Sequence, residues 1–160
     1  MQIIRARKGD ASTLSAIAWA AKGLWGYPPH WMEQWRSQLS ITPEFVSKNP
    51  TFTAIRDRQI VGFHALLPTP DGWRLEHLWV LPERTRQGIG RLLFLHATGE
   101  ARARGASSLT IEADPHAEPF YQQMGATRIG STTSAIDGLA RELPLLIFDL
   151  TKSARPSHDC

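Results

Sequence analysis

Between Thr51 and Leu81 the sequence runs through three apolar, β-branched and aromatic segments, TFTAIR, QIVGFHALL and WRLEHLWVL. The breaks between them are short and polar: Asp57-Arg58 after the first, and Thr69-Pro70-Asp71-Gly72 after the second. Links this short join only antiparallel neighbours, because a parallel return needs a crossover of about a dozen residues or more. The middle of the chain is therefore an antiparallel meander, and whatever flanks it must cover the faces of that sheet.

The flanking segments have the spacing to do so. QIIRAR alternates apolar and basic residues, as a half-buried strand does. Asp10 stands where it would cap a helix carrying Leu14, Ile17, Ala18 and Ala21 on one face. Pro28-Pro29 opens a second helix through Trp31, Met32, Trp35 and Leu39. Thr42-Pro43-Glu44 starts a short third one that ends near Asn49-Pro50. After the meander comes a polar loop from Pro82 to Gln87. A long helix follows, with Ile89, Leu92, Leu93 and Ala97 on one face, and it stops at Gly105. SLTIEA is a buried strand, Asp114-Pro115 starts a helix through Phe120 and Met124, and ATRIGS and LPLLIFDLT supply two more strands. The expected fold class is α+β (mixed α/β): a central, mixed, mostly antiparallel sheet of six to seven strands with helices on both faces. Residues 1–150 form a single domain, and 151–160, TKSARPSHDC, a polar tail.

Composition excludes several classes of function. With 42% hydrophobic and 21% charged residues and a net charge of +3, the chain has the makings of a packed core. No apolar run approaches the ~20 residues of a membrane span, and MQIIRARKGD lacks the apolar core of a signal peptide, so the expected location is the cytoplasm. Cys160, the only cysteine, leaves no internal disulfide and no cysteine metal site. The histidines at 30, 64, 77, 96, 116 and 158 never stand at ligand spacing with a carboxylate on one element, so no metal is expected. A pI near 9.4 suits an anionic partner. The arginines are nevertheless scattered, with no basic stripe interleaved with aromatic residues, which argues against nucleic acid.

The segment richest in chemistry is VLPERTRQGIGRLL, in which a strand ends, a basic loop follows and two glycines open a helix. A helix N-terminus offers unpaired N–H groups and partial positive charge, and glycines let an anion approach the backbone. Arg84, Arg86 and Arg91 surround this one and would add charge-assisted bonds to phosphate oxygens. No Gly-Lys-Ser/Thr follows, so it is not a nucleotide-binding loop of that type. About thirty residues on stands DPHAEPFYQQMGA, a helix carrying Phe120-Tyr121 and ending in Gly125-Ala126.

The two segments at this spacing, with VLP before the first, resemble the GCN5-related N-acetyltransferase (GNAT) superfamily, whose fold binds acetyl-CoA. The family's loop reads Arg/Gln-x-x-Gly-x-Gly/Ala, and its later helix Asn-x-x-Ala-x-x-Phe-Tyr. The resemblance covers Thr51 to Leu150. Thr85 departs from the family's Arg or Gln, Asp114 stands where Asn is frequent, and Ala126 where Phe is common. It implies an N-acetyltransferase with acetyl-CoA as co-substrate. Arg86, Gln87, Gly88, Ile89, Gly90 and Arg91 would cradle the pyrophosphate, the backbone of Leu78, Trp79 and Val80 would bind the pantetheine arm, and Asp114 would join the cofactor site.

Direct attack of an amine on a thioester sets three tasks. The acceptor ammonium must lose a proton, the oxyanion needs a donor, and the thiolate needs a proton. The resemblance makes Tyr121 the acid for the thiolate. Glu76, inside the third meander strand, is the expected base; His77 and Glu112 are the alternatives. Strict alternation would set Trp73, Leu75, His77 and Trp79 on one face and Arg74, Glu76, Leu78 and Val80 on the other. Asp114 has a second reading, as the cap of the helix before Pro115.

Trp25, Tyr27, Trp31 and Glu33 fall in the two-helix region that covers the substrate in this superfamily. They suggest a pocket for a primary amine with an apolar or aromatic body. A peptide N-terminus or lysine is the alternative acceptor, and a non-catalytic acyl-CoA sensor the alternative of another class. Strands after residue 126 often pair between subunits in this superfamily, so a homodimer is consistent with the resemblance.

Overall fold

The computed structural model describes residues 1–152, so most of the polar tail, Cys160 included, lies outside the described residues. Strand β1 (Gln2–Arg5) is followed by a 3-10 turn at Lys8–Asp10 and helices α1 (Ala11–Gly23), α2 (Pro29–Leu39) and α3 (Pro43–Lys48). The meander is β2 (Thr51–Arg56), β3 (Gln59–Thr69) and β4 (Gly72–Val80). A second 3-10 turn, Pro82–Arg84, leads to α4 (Ile89–Ala103), β5 (Ser108–Glu112), α5 (Glu118–Gln123), β6 (Thr127–Ile136) and β7 (Leu139–Asp149). These make one seven-stranded sheet in the order β1-β2-β3-β4-β5-β7-β6. Every neighbouring pair is antiparallel except β4 with β5. Among the described residues no helix is long and apolar enough to cross a membrane.

Each face of the sheet has its own core. On one, Leu14, Ile17 and Ala18 of α1 and Met32, Trp35 and Leu39 of α2 pack against Phe63, at the helical offsets the sequence displays. On the other, α4 buries Leu93, Phe94, Ala97 and Ala101. Leu92, expected on that buried face, is instead exposed, and Phe94 takes the central place, with its ring centroid 5.2 Å from Phe148 and 6.0 Å from Tyr121.

Four local expectations change. Asp10 donates no cap to α1; its carboxylate accepts the Arg7 N–H at 2.8 Å and so closes the 3-10 turn. Asp114 does not cap α5, which begins four residues later. The last two strands are much longer than ATRIGS and LPLLIFDLT, because Asp137-Gly138 forms a two-residue hairpin turn with both residues at positive φ (54° and 73°). Strict alternation along β4 also fails. Leu75 lies opposite Leu66 and His77 opposite Ala65, so Glu76 is an extra residue, a β-bulge. Trp73, Leu75 and Leu78 therefore share the α4 side, while His77 and Trp79 join Phe63 on the α1 side.

Two buried histidines link this packing to pH. His64 is stacked on Phe52 and meets His96 at 2.9 Å, and His77 sits between Phe45 and Phe63. Burial, reinforced at His64 by His96, lowers their pKa values to about 3 and about 4. The unfolded chain takes up both protons near pH 6.5, whereas the folded chain resists until far lower pH. Stability is thus complete above pH ~6.5 and falls as pH drops toward the folded-state values. Urea unfolding should show a loss of roughly 1.4 kcal/mol per pH unit for each histidine between about pH 6 and 5. Equal stability at pH 7 and pH 5 would contradict this.

Candidate active site

The site begins where two strands part. β4 and β5 pair only at Trp73–Leu109 and Arg74–Thr110, immediately before the bulge at Glu76, and beyond it they diverge. Leu81 donates its N–H to the Val61 carbonyl at 2.9 Å, which fixes Trp79–Phe63 and His77–Ala65 as the hydrogen-bonded pairs of β3 and β4. Leu78 and Val80 therefore aim their N–H and C=O groups toward the side that β5 has left. That row of backbone groups is available to an extended ligand with amide groups of its own.

The N-terminus of α4 closes one end of this opening. Arg86 and Gly88 both adopt positive φ (61° and 79°), which turns the chain sharply into the helix. The first helical bond runs from the Leu92 N–H to the Gly88 carbonyl at 3.1 Å, so the N–H groups of Ile89, Gly90 and Arg91 have no acceptor within the helix. Gly90 faces Phe120, whose ring would lie 3.6 Å from a Cβ at that position. A cleft of about 470 Å³ runs from this N-terminus past Leu78 and Val80 to Tyr121, with Arg84, Arg86 and Arg91 around the helix end. Its chemistry suits a long thioester: cationic and rich in N–H donors at one end, apolar along its length, and closed by a tyrosine. Tyr121 is buried, and burial raises its pKa, so the hydroxyl holds its proton.

At the other end, the loop from β5 to α5 is tied to the turn after α1. The Asp114 carboxylate accepts from Lys22 Nζ at 2.9 Å, Arg141 at 3.1 Å, the Tyr27 hydroxyl at 2.8 Å and the His116 N–H at 2.9 Å. Only 5% of its side chain is exposed. Burial alone would push this carboxyl up, but Lys22, the His116 N–H and the Tyr27 hydroxyl hold it well below the usual carboxylate range. Lys22 and Arg141 also lie over the rings of Tyr27 and Trp35. The Trp25 and His116 rings stack at 5.3 Å, and both line the cleft.

The residues anticipated from sequence are distributed as follows. Leu78, Trp79, Val80, Arg86, Gly88, Ile89, Gly90, Arg91, Trp25 and Tyr121 line the cleft. Gln87 does not; its side-chain carbonyl accepts from Arg56 at 3.1 Å. Asp114 directs its carboxylate into the Lys22–Tyr27–Arg141 cluster. Tyr27 stands behind Trp25 in that same cluster, and Trp31 packs on Tyr27 and Trp35. Glu33, anticipated at the acceptor, lies on the solvent side of α2 in an ion pair with Arg36, because its helical phase opposes that of Trp35. Glu76 carries its carboxylate 2.7 Å from Arg74, and neither Glu76 nor Glu112 lines the cleft. His77 is buried on the α1 face and accepts from the Trp79 indole at 3.1 Å. Sequence reading passed over Lys22, His116 and Arg141. They come from three separate elements, so no local spacing joins them.

The model of the acetyltransferase (GNAT) domain family matches residues 26–139. The peptidyl-lysine N-acetyltransferase YjaB of Salmonella typhimurium is 31% identical over 114 residues, covering 70% of this chain and 73% of its own. The streptothricin acetyltransferase of Streptomyces lavendulae is 35% identical over 98 residues, 58% of this chain and 52% of its own. Among solved structures, a GCN5-related N-acetyltransferase from Rhodopseudomonas palustris superposes with a TM-score of 0.79 at 24% identity, covering 92% of this chain and 94% of its own. The PaiA N-acetyltransferase of Thermoplasma acidophilum, solved with coenzyme A, gives 0.73 at 19% identity, covering 92% and 98%. The chain belongs to the GNAT acetyltransferases. It is an acetyl-CoA-dependent N-acetyltransferase, which supersedes the reading as a non-catalytic sensor.

Asp114→Asn leaves Lys22 and Arg141 buried without a counter-charge, and should cost about 3–5 kcal/mol at pH 7. Because the folded carboxyl titrates below its unfolded value, this contribution is present above pH ~4 and is lost as pH falls further. Denaturant curves of the two proteins should converge below that pH. A constant gap down to pH 2 would contradict the ion-pair account.

Proposed function

We propose that the enzyme acetylates a primary amine on a small molecule with an apolar or aromatic body. The observation that carries this reading is the aromatic wall at the mouth of the cleft. Trp25 stacks on His116 and stands 6.1 Å from Trp79, which offers flat apolar surface beside the space where the thioester would end. The relationship to an enzyme named for streptothricin supports a small acceptor. A lysine side chain on a peptide is the second reading, favoured by the relationship to the Salmonella peptidyl-lysine enzyme, which spans more of both chains.

In this reading, the N–H groups of Ile89, Gly90 and Arg91 hold the pyrophosphate of acetyl-CoA. Leu78 and Val80 hold the pantetheine amides, and an N–H among Leu78 to Val80 faces the developing oxyanion. Tyr121 gives its hydroxyl proton to the thiolate as the C–S bond breaks. Its burial fits the role, since the proton stays on oxygen until a strong local base appears.

Thiol release from acetyl-CoA should be measured with streptothricin, aryl-alkyl amines and lysine peptides. The expected outcome is turnover with at least one small amine, and a fall in kcat of about 100-fold or more in Tyr121→Phe with unchanged CoA affinity. Turnover confined to peptides would shift the acceptor to the second reading. Full activity in Tyr121→Phe would remove tyrosine from the mechanism.

A further inference from the structure

We propose that His116 is the base that takes the proton from the acceptor ammonium, with Asp114 and Tyr27 as its positioning residues. This rests on the acetyltransferase reading above. His116 lines the cleft that also holds Tyr121. Its Nδ1 lies 3.0 Å from Asp114 Oδ1 and 3.0 Å from the Tyr27 hydroxyl, and its own N–H donates to Asp114 Oδ1 at 2.9 Å. The plane of the ring is set by Trp25, 5.3 Å away and within 11° of parallel. Position and rotation of the imidazole are thus fixed from two directions.

The polar contacts favour one tautomer, since the Tyr27 hydroxyl donates to Asp114 Oδ2 at 2.8 Å and so meets Nδ1 with its oxygen lone pair. Asp114 is a carboxylate and only accepts, so the proton of a neutral His116 is drawn to Nδ1, where it is donated to Oδ1. Nε2 then carries the lone pair, and among the described residues it has no hydrogen-bond partner. A carboxylate that orients an imidazole lining the substrate cleft, with the far nitrogen unpartnered, is the arrangement a general base requires. Lys22 and Arg141 hold Asp114 on its other oxygen, so the carboxylate cannot swing away to solvent.

Nε2 takes one proton from the acceptor ammonium, leaving a neutral amine and an imidazolium. The amine nitrogen forms a bond to the thioester carbonyl carbon, the C–S bond breaks, and the electron pair leaves on sulfur. Tyr121 protonates that thiolate, and the resulting phenolate recovers the second proton from the acceptor nitrogen. The imidazolium releases its proton to solvent. One proton is released overall for each amide and thiol formed.

Two measurements on the full chain test the proposal. In ¹⁵N-resolved NMR of the wild type at neutral pH, with the His116 signals assigned by their loss in His116→Gln, the ring should be the Nδ1–H tautomer; the Nε2–H tautomer would overturn the proposal. In the thiol-release assay, using whichever panel amine the wild type acetylates fastest, His116→Gln should lower kcat about 100-fold or more with CoA affinity and melting temperature unchanged. Added imidazole should restore part of the loss, whereas Glu76→Gln should stay within a few-fold of wild type. A His116→Gln protein with wild-type kcat, or a Glu76→Gln protein with the large imidazole-insensitive loss, would overturn it and return the base to Glu76. No wild-type turnover with any amine would instead overturn the acetyltransferase reading on which it rests.

Discussion

The divergence of β4 from β5 is the constraint on which the rest of the molecule turns. A sheet that paired these strands along their full length would consume the backbone groups of Leu78 and Val80 and leave no cleft. One extra residue, Glu76, alters the twist and phase of β4 just after its two pairs with β5. The strands part, and the same phase change sends His77 and Trp79 to the α1 face while Leu78 and Val80 line the opening. The α4 N-terminus then lies at one end of an exposed row of hydrogen-bonding groups.

A split sheet needs something else to hold its halves, and the Asp114 cluster supplies it at the open end. Lys22 comes from α1, Tyr27 from the turn after it, His116 from the loop after β5, and Arg141 from β7. One buried carboxylate thus binds elements from both sides of the opening. The arrangement couples stability to function, since the residues that fix the loop also fix the His116 ring that faces the cleft. Buried ion pairs return little net stability for their desolvation, which favours a positioning role over a purely cohesive one.

Much of the fold is legible in the sequence, because the relevant signals are local. The period change at Thr51 sets the meander, Pro29 and Pro43 mark helix starts, and the glycines at 88 and 90 mark the turn into α4. The full hairpin of β6 and β7 was not anticipated: its turn, Asp137-Gly138, follows the polar stretch STTS, which hides a strand at the edge of the sheet. The bulge at Glu76 was not legible, since a register shift depends on the partner strand and leaves no mark in an alternating pattern. The Asp114 cluster was hidden for a related reason. Lys22 and Arg141 lie 92 and 27 residues from Asp114, and only the topology joins them. Of the residues expected at the cofactor, those on the β4 and α4 backbone do line the cleft. Those chosen for a side chain on a helix, Glu33 above all, depended on a rotational phase that one exposed ion pair obscures.

The central claim is that the gap between β4 and β5, capped by the α4 N-terminus, is the acetyl-CoA site. Backbone ¹H–¹⁵N NMR during titration with CoA tests it most directly. The account predicts the largest shifts at Leu78, Val80 and Gly88 to Arg91, with the Asp137-Gly138 turn unmoved. Saturable binding of CoA that leaves the amides of Leu78, Val80 and Gly88 to Arg91 in place would contradict it.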